Sequence, residues 1–140
     1  MGEMVNISIR GLLAGEDAQT GDLETKVCAE YFKKGQAYYF FYEEQPDGFE
    51  QKCKSRIKYK DNVLELVRQG LIETRMVFEK DTQHMTRYVV PYGEVMLGIQ
   101  ASEVSLKETE ERIQILVEYD LEMDGEHQAH SKIEINVMKS

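Results

Sequence analysis

Apolar and polar residues alternate with period two along much of the chain. Ile113, Ile115, Val117, Tyr119, Leu121 and Met123 share one face, while Gln114, Glu118, Asp120 and Glu122 lie mainly on the other. That is the pattern of a long strand with one wet side. Ala129, Ser131, Ile133, Ile135 and Val137 repeat it against His130, Lys132, Glu134 and Asn136, and Asp124-Gly125 is a turn signal that joins the two into a hairpin. Similar alternation marks Val5 to Leu13, Leu23 to Tyr31 and Gly93 to Ser105. Turn chemistry falls at Pro46-Asp47-Gly48, Asp61-Asn62 and Pro91-Tyr92-Gly93. Roughly ten short strands in one small domain predict a sandwich or a barrel.

One segment, Asn62 to Phe78, supports two patterns. Asn62 and Glu65 have the spacing of a capping box, and Val63, Leu66, Val67 and Leu71 fall near helical spacing. A helix there would carry Gly70 inside, at a cost of about 1 kcal/mol relative to alanine. As strands, Leu64, Leu66 and Arg68 share a face, Gly70 makes a bend or bulge, and Ile72, Thr74, Met76 and Phe78 continue. Periodicity alone leaves both open.

Residues 38–42 are five consecutive aromatics out of thirteen in the chain. On a strand, Tyr38, Phe40 and Tyr42 face one way and Tyr39 and Phe41 the other. The next strand is a basic ladder: Lys52, Lys54, Arg56, Lys58 and Lys60 on one face, with Cys53, Ser55, Ile57 and Tyr59 on the other. Pairing across Pro46-Asp47-Gly48 sets either Glu43, Phe41 and Tyr39 or Glu44, Tyr42 and Phe40 beside Lys52, Lys54 and Arg56. One aromatic row then fills the interior, and the other lies under the stems and cations of the ladder. Alternatively the outer strip of residues 38–60, with Lys54, Arg56 and Lys58 as contacts, is an interface. Its partner would be an acidic protein or the Glu118, Asp120, Glu122 ladder of a second copy.

At 140 residues the chain is read as a single domain, 1–140. Its net charge of −9 is uneven, with ten basic against twelve acidic residues in 1–70 and seven against fourteen in 71–140. Such a protein gains nothing from counterion release on a polyphosphate, which argues against nucleic-acid or anionic-membrane partners. The start has no basic segment followed by an apolar one, and no apolar run approaches a membrane span, so a cytoplasmic protein is expected. Cys28 and Cys53 are expected to be free thiols. His127 and His130 stand three apart, hence on opposite strand faces, and no metal site is expected with His84. No nucleophile motif such as G-x-S-x-G occurs, so no catalytic residue and no cofactor are assigned. Met76, Met96, Met123 and Met138 read as core filler.

The succession "YFFYEE", "RIKYKDNVLELVRQG", "MVFEK", "YVVPYGEVML" and "VEYDLEMDG" resembles the YwiB-like domain family, bacterial proteins of unknown function with a lipocalin-like (calycin) β-barrel. The similarity runs from about Val5 to Val137, most specifically at Arg68 with Gly70, Met76 with Phe78, and Tyr88 leading into Pro91-Tyr92-Gly93. It implies an all-β antiparallel barrel of about eight to ten strands and makes strands of Asn62 to Phe78. Such a barrel is filled by side chains or encloses one small ligand. Arg68, the one full charge on its face, either closes one barrel end, as in many calycins, or anchors a ligand carboxylate or phosphate. The expected function is binding of a small, partly apolar ligand in the interior, anionic where Arg68 is its anchor. Arg68, Ser55, Tyr59, Met76, Phe78, Tyr88 and Tyr119 would line the cavity. An interaction module or homodimer is the alternative, and an enzyme is the least supported reading.

Overall fold

In the computed structural model, which describes residues 2–11, 24–44 and 50–139, the alternating segments become strands and no helix is present among the described residues. The ten strands are β1 (Glu3–Arg10), β2 (Glu24–Lys34), β3 (Ala37–Glu44), β4 (Cys53–Lys60) and β5 (Val63–Gly70), then β6 (Glu73–Glu79), β7 (Gln83–Val90), β8 (Gly93–Glu108), β9 (Arg112–Met123) and β10 (Glu126–Met138). Each is antiparallel to the next, and β1 pairs with both β2 and β10, so the sheet closes into a barrel. Closure removes the exposed edges that an open sheet would present. Leu12, Leu13, Leu23 and the Pro46-Asp47-Gly48 turn lie outside the described residues.

Asn62 to Phe78 forms β5 and β6, as the family resemblance implied. Asp61 and Asn62 both take left-handed backbone, with φ of 51° and 63°, which suits a tight hairpin whose twist matches that of the flanking strands. Asn62 is therefore a turn residue and not a helix cap. Gly70 ends β5 with φ of 122°, and a Cβ there would stand 2.4 Å from the Lys52 carbonyl oxygen, so only glycine fits.

The inner aromatic row is Tyr38, Phe40 and Tyr42, and Phe41 on the outer row is 38% exposed. The β3–β4 register differs from both sequence alternatives: Tyr39, Phe41 and Glu43 oppose Lys58, Arg56 and Lys54. A connection as long as residues 45–52 does not pin register as a tight hairpin does. Lys52 still lies 4.0 Å from Glu43, on a diagonal. Of the four methionines read as core, Met76 is fully buried and Met123 packs partly against the core. Met96 and Met138 are exposed, on the outer faces of their strands, and this corrects the sequence reading.

The two barrel ends differ. At one end, Tyr31, Tyr38 and Tyr59 cap the interior, with Tyr38 and Tyr59 meeting edge to face at 6.2 Å and the Tyr59 hydroxyl donating to Asn62 at 2.8 Å. Burial, with Glu108 adding, pushes the Tyr31 phenol up to about 12. Glu108 ties this end together by accepting from Tyr38 at 2.8 Å and from Lys139 at 2.7 Å. The Lys139 bond chiefly holds its carboxyl below the ordinary 4.5, against the opposing effect of burial and with help from Tyr38. A carboxyl depressed in the folded state contributes stability above its unfolded value and loses it as pH falls through the lower folded value. Melting temperature is therefore expected to fall more steeply in the wild type than in Glu108→Gln between about pH 5 and pH 3. Parallel melts of the two proteins across that range check it.

One seam interrupts the wall. Among the described residues, β6 and β7 pair only at Glu73↔Val89 and Thr74↔Tyr88. Toward Glu79 the gap is spanned by an antiparallel bridge from Glu79 to Thr82, a 3.0 Å contact between Glu79 and His84, and a parallel bridge from Lys80 to Ala101.

Candidate functional site

Five consecutive strands each send one polar side chain inward at the same level. Tyr42 on β3 is opposite Ser55 on β4, Ser55 is opposite Arg68 on β5, Arg68 is opposite Thr74 on β6, and Thr74 is opposite Tyr88 on β7. The belt lies toward the end where β3, β5, β7 and β9 finish, away from the tyrosine cap. Directly beneath it, Phe40, Ile57, Leu66 and Met76 form an apolar row in the same register. Ile72, Val90 and Val95 add apolar surface near the belt.

The belt is poorly satisfied. Arg68 is only 5% exposed, and its one hydrogen bond among the described residues is a long one, from Nη1 to the Tyr88 hydroxyl at 3.3 Å. Among the described residues its Nε has no hydrogen-bond partner, nor do the Tyr42, Ser55 and Thr74 hydroxyls. No carboxylate among the described residues pairs with it. Glu44, two residues beyond Tyr42 on β3, acts on the Tyr42 phenol but forms no ion pair with the guanidinium. A buried charge without a counterion costs several kcal/mol even after relaxation. Burial drives the Tyr42 phenol well above its ordinary value, and the Arg68 charge only partly opposes it. The neighbouring Ser55 hydroxyl also pulls it down, although the two do not complete a hydrogen bond. Tyr42 thus stays protonated at neutral pH and is a donor. The belt presents one cation and several hydroxyls to an acceptor that the described residues do not supply.

Of the seven residues expected to line a cavity, Arg68, Ser55 and Tyr88 meet in this belt. Met76, Phe78 and Tyr119 do not join them: all three are 0% exposed, in a centre filled by side chains, with Phe78 and Tyr119 edge to face at 5.2 Å. Burial raises the Tyr119 phenol, opposed by Ser131 across the β9–β10 ladder. Tyr59 belongs to the opposite end, four residues along β4 from Ser55, or about 13 Å at strand rise. Sequence reasoning missed Tyr42 and Thr74 as site residues. Thr74 was placed on the face of Met76 and Phe78, whereas the inward row of the aromatic run was left open, and only the register shows that Tyr42 and Thr74 stand level with Arg68.

On the outside, the basic ladder is largely engaged within the molecule. Arg56 donates to Glu65, which also takes Arg75 at 2.6 Å, and Lys58 lies 5.6 Å above the Tyr39 ring. Lys54 opposes Glu43 in the β3–β4 ladder. Phe32, Tyr39 and Phe41 stack with centroids 5.0 to 6.4 Å apart, so their faces cover one another. An outer groove of about 410 Å³, lined by Asn6, Ser8, Cys28 and Met138 among others, presents no orphaned buried polar atom. Cys28 and Cys53 are both free.

The histidines need a correction. A bulge between His127 and Ala129 adds a residue to β10, so His127 and His130 share a face and both reach Asp120, at 3.5 and 2.9 Å. The His130 bond chiefly lowers the Asp120 carboxyl. The described residues nonetheless contain no set of three or more ligands arranged to hold a metal ion.

Residues 7–135 match a family described as "Domain of unknown function (DUF1934)". The fold is similar to the crystal structure of the ywiB protein from Bacillus subtilis, with a TM-score of 0.81 and 19% identity over 99% of this chain and 93% of that one. At that identity the likeness shows the fold alone. No curated protein matches the chain.

Proposed function

Because the chain belongs to the DUF1934 family, whose description carries no activity, the function has to be read from the chemistry of the barrel, and we propose that the protein binds a small, partly apolar anionic ligand at the polar belt. Arg68 is the anchor. The observation that carries this reading is the buried guanidinium with a single long hydrogen bond and no carboxylate partner among the described residues. Pockets that fix ligands combine apolar walls with a few convergent polar groups, and Ile72, Val90 and Val95 beside the belt supply the apolar share. A guanidinium fork with neighbouring hydroxyls suits an oxyanion by both charge and geometry.

Native mass spectrometry of gently purified protein tests the proposal. Wild type is expected to retain a small anionic adduct that Arg68→Met does not. A wild type that carries no adduct, and whose melting temperature no small anion raises, would defeat it.

A further inference from the structure

We infer that the belt takes a compact monocarboxylate, and this rests on the reading of Arg68 as an anion anchor. Three observations narrow the anion. The belt holds one cation, so a single negative charge balances it. A dianion would bring a second charge into a buried site where Glu44 already stands on the same strand face. Among the described residues the belt's orphaned polar atoms are Arg68 Nε and the hydroxyls of Tyr42, Ser55 and Thr74. A carboxylate's two oxygens can take the guanidinium fork and have lone pairs left for neighbouring hydroxyls. The level below is closed, because Phe40, Ile57, Leu66 and Met76 are 0 to 2% exposed. No acyl chain can continue past the belt without displacing them, and protein cores resist such displacement. The carboxylate's substituent must therefore be short or lie toward Ile72 and Val90.

Thermal melts and calorimetric titration of the full chain at matched ionic strength distinguish the classes, using benzoate, inorganic phosphate and palmitate as probes. Benzoate is expected to raise the melting temperature of the wild type and leave that of Arg68→Met unchanged. Tyr42→Phe and Thr74→Val, which keep the side-chain volume nearly constant, are each expected to weaken benzoate roughly tenfold or more, as for lost hydrogen bonds to a charged group. Phosphate and palmitate are expected to do nothing. If phosphate binds in an Arg68-dependent way and benzoate does not, the carboxylate part of the inference falls, and if palmitate does so the compactness part falls, while in either case Arg68 remains an anion anchor. If benzoate binds equally to wild type and Arg68→Met, or if no probe binds the wild type, the inference falls together with the anchor reading.

Discussion

Arg68→Met is expected to melt at a higher temperature than the wild type in buffer free of carboxylates. The substitution keeps much of the stem volume and removes a charge that has paid its desolvation without gaining an ion pair. Exchanging poorly compensated buried ions for apolar side chains often stabilises a protein by about 1 to 4 kcal/mol. For a domain of this size that is roughly 3 to 14 degrees of melting temperature. Tyr88 loses one long hydrogen bond and has a further interaction besides it. The variant should thus exchange ligand binding for stability. Were Arg68 a structural closure of the barrel end, the same variant would lose on the order of 3 kcal/mol. Chemical denaturation of both proteins decides between the two, and a clear loss in the mutant would favour closure.

Phe78→Ala should have the largest destabilising effect of any single change considered, about 3 to 5 kcal/mol. Phe78 has no exposed surface and sets its ring against Tyr119 in the filled centre, where neighbours on several strands cannot all collapse onto the void. The measurement is the denaturant midpoint at unchanged slope. A loss below about 1 kcal/mol would mean that the centre is looser than its burial indicates.

The strands were legible because a barrel buries one face of each, and period-two alternation records that directly, as in Ile113 to Met123 and Ser131 to Val137. Asn62 to Phe78 was not decided by pattern. Its apolar residues satisfy both periods, and only the family resemblance separated them. Register was harder: β3 and β4 are joined by residues 45–52, and a long connection leaves pairing to be set by packing. The belt was partly visible, since Arg68, Ser55 and Tyr88 declare polar chemistry on inward faces. Tyr42 was hidden inside an aromatic run, and Thr74 inside an alternating strand. Nothing in either segment says which strand residue stands level with which. The pairing of His127 and His130 on Asp120 was invisible for a different reason: a single extra residue at Gln128 reverses face parity, and Gln128 carries no signature of a bulge.

The sparse pairing of β6 with β7 gives the closed sheet a place to unzip. In a continuous barrel, freeing any strand requires breaking two full ladders, but here the ring can part by losing two register pairs, two isolated backbone bridges at Glu79–Thr82 and Lys80–Ala101, and the Glu79–His84 contact. What results is an open sheet with two raw edges, each a template for another chain. Amides on the β6 and β7 flanks of that seam then exchange with solvent through local opening, well before those of β9, which is laddered on both sides along its length. Aggregation would start from the same line, by edge-to-edge pairing of parted barrels.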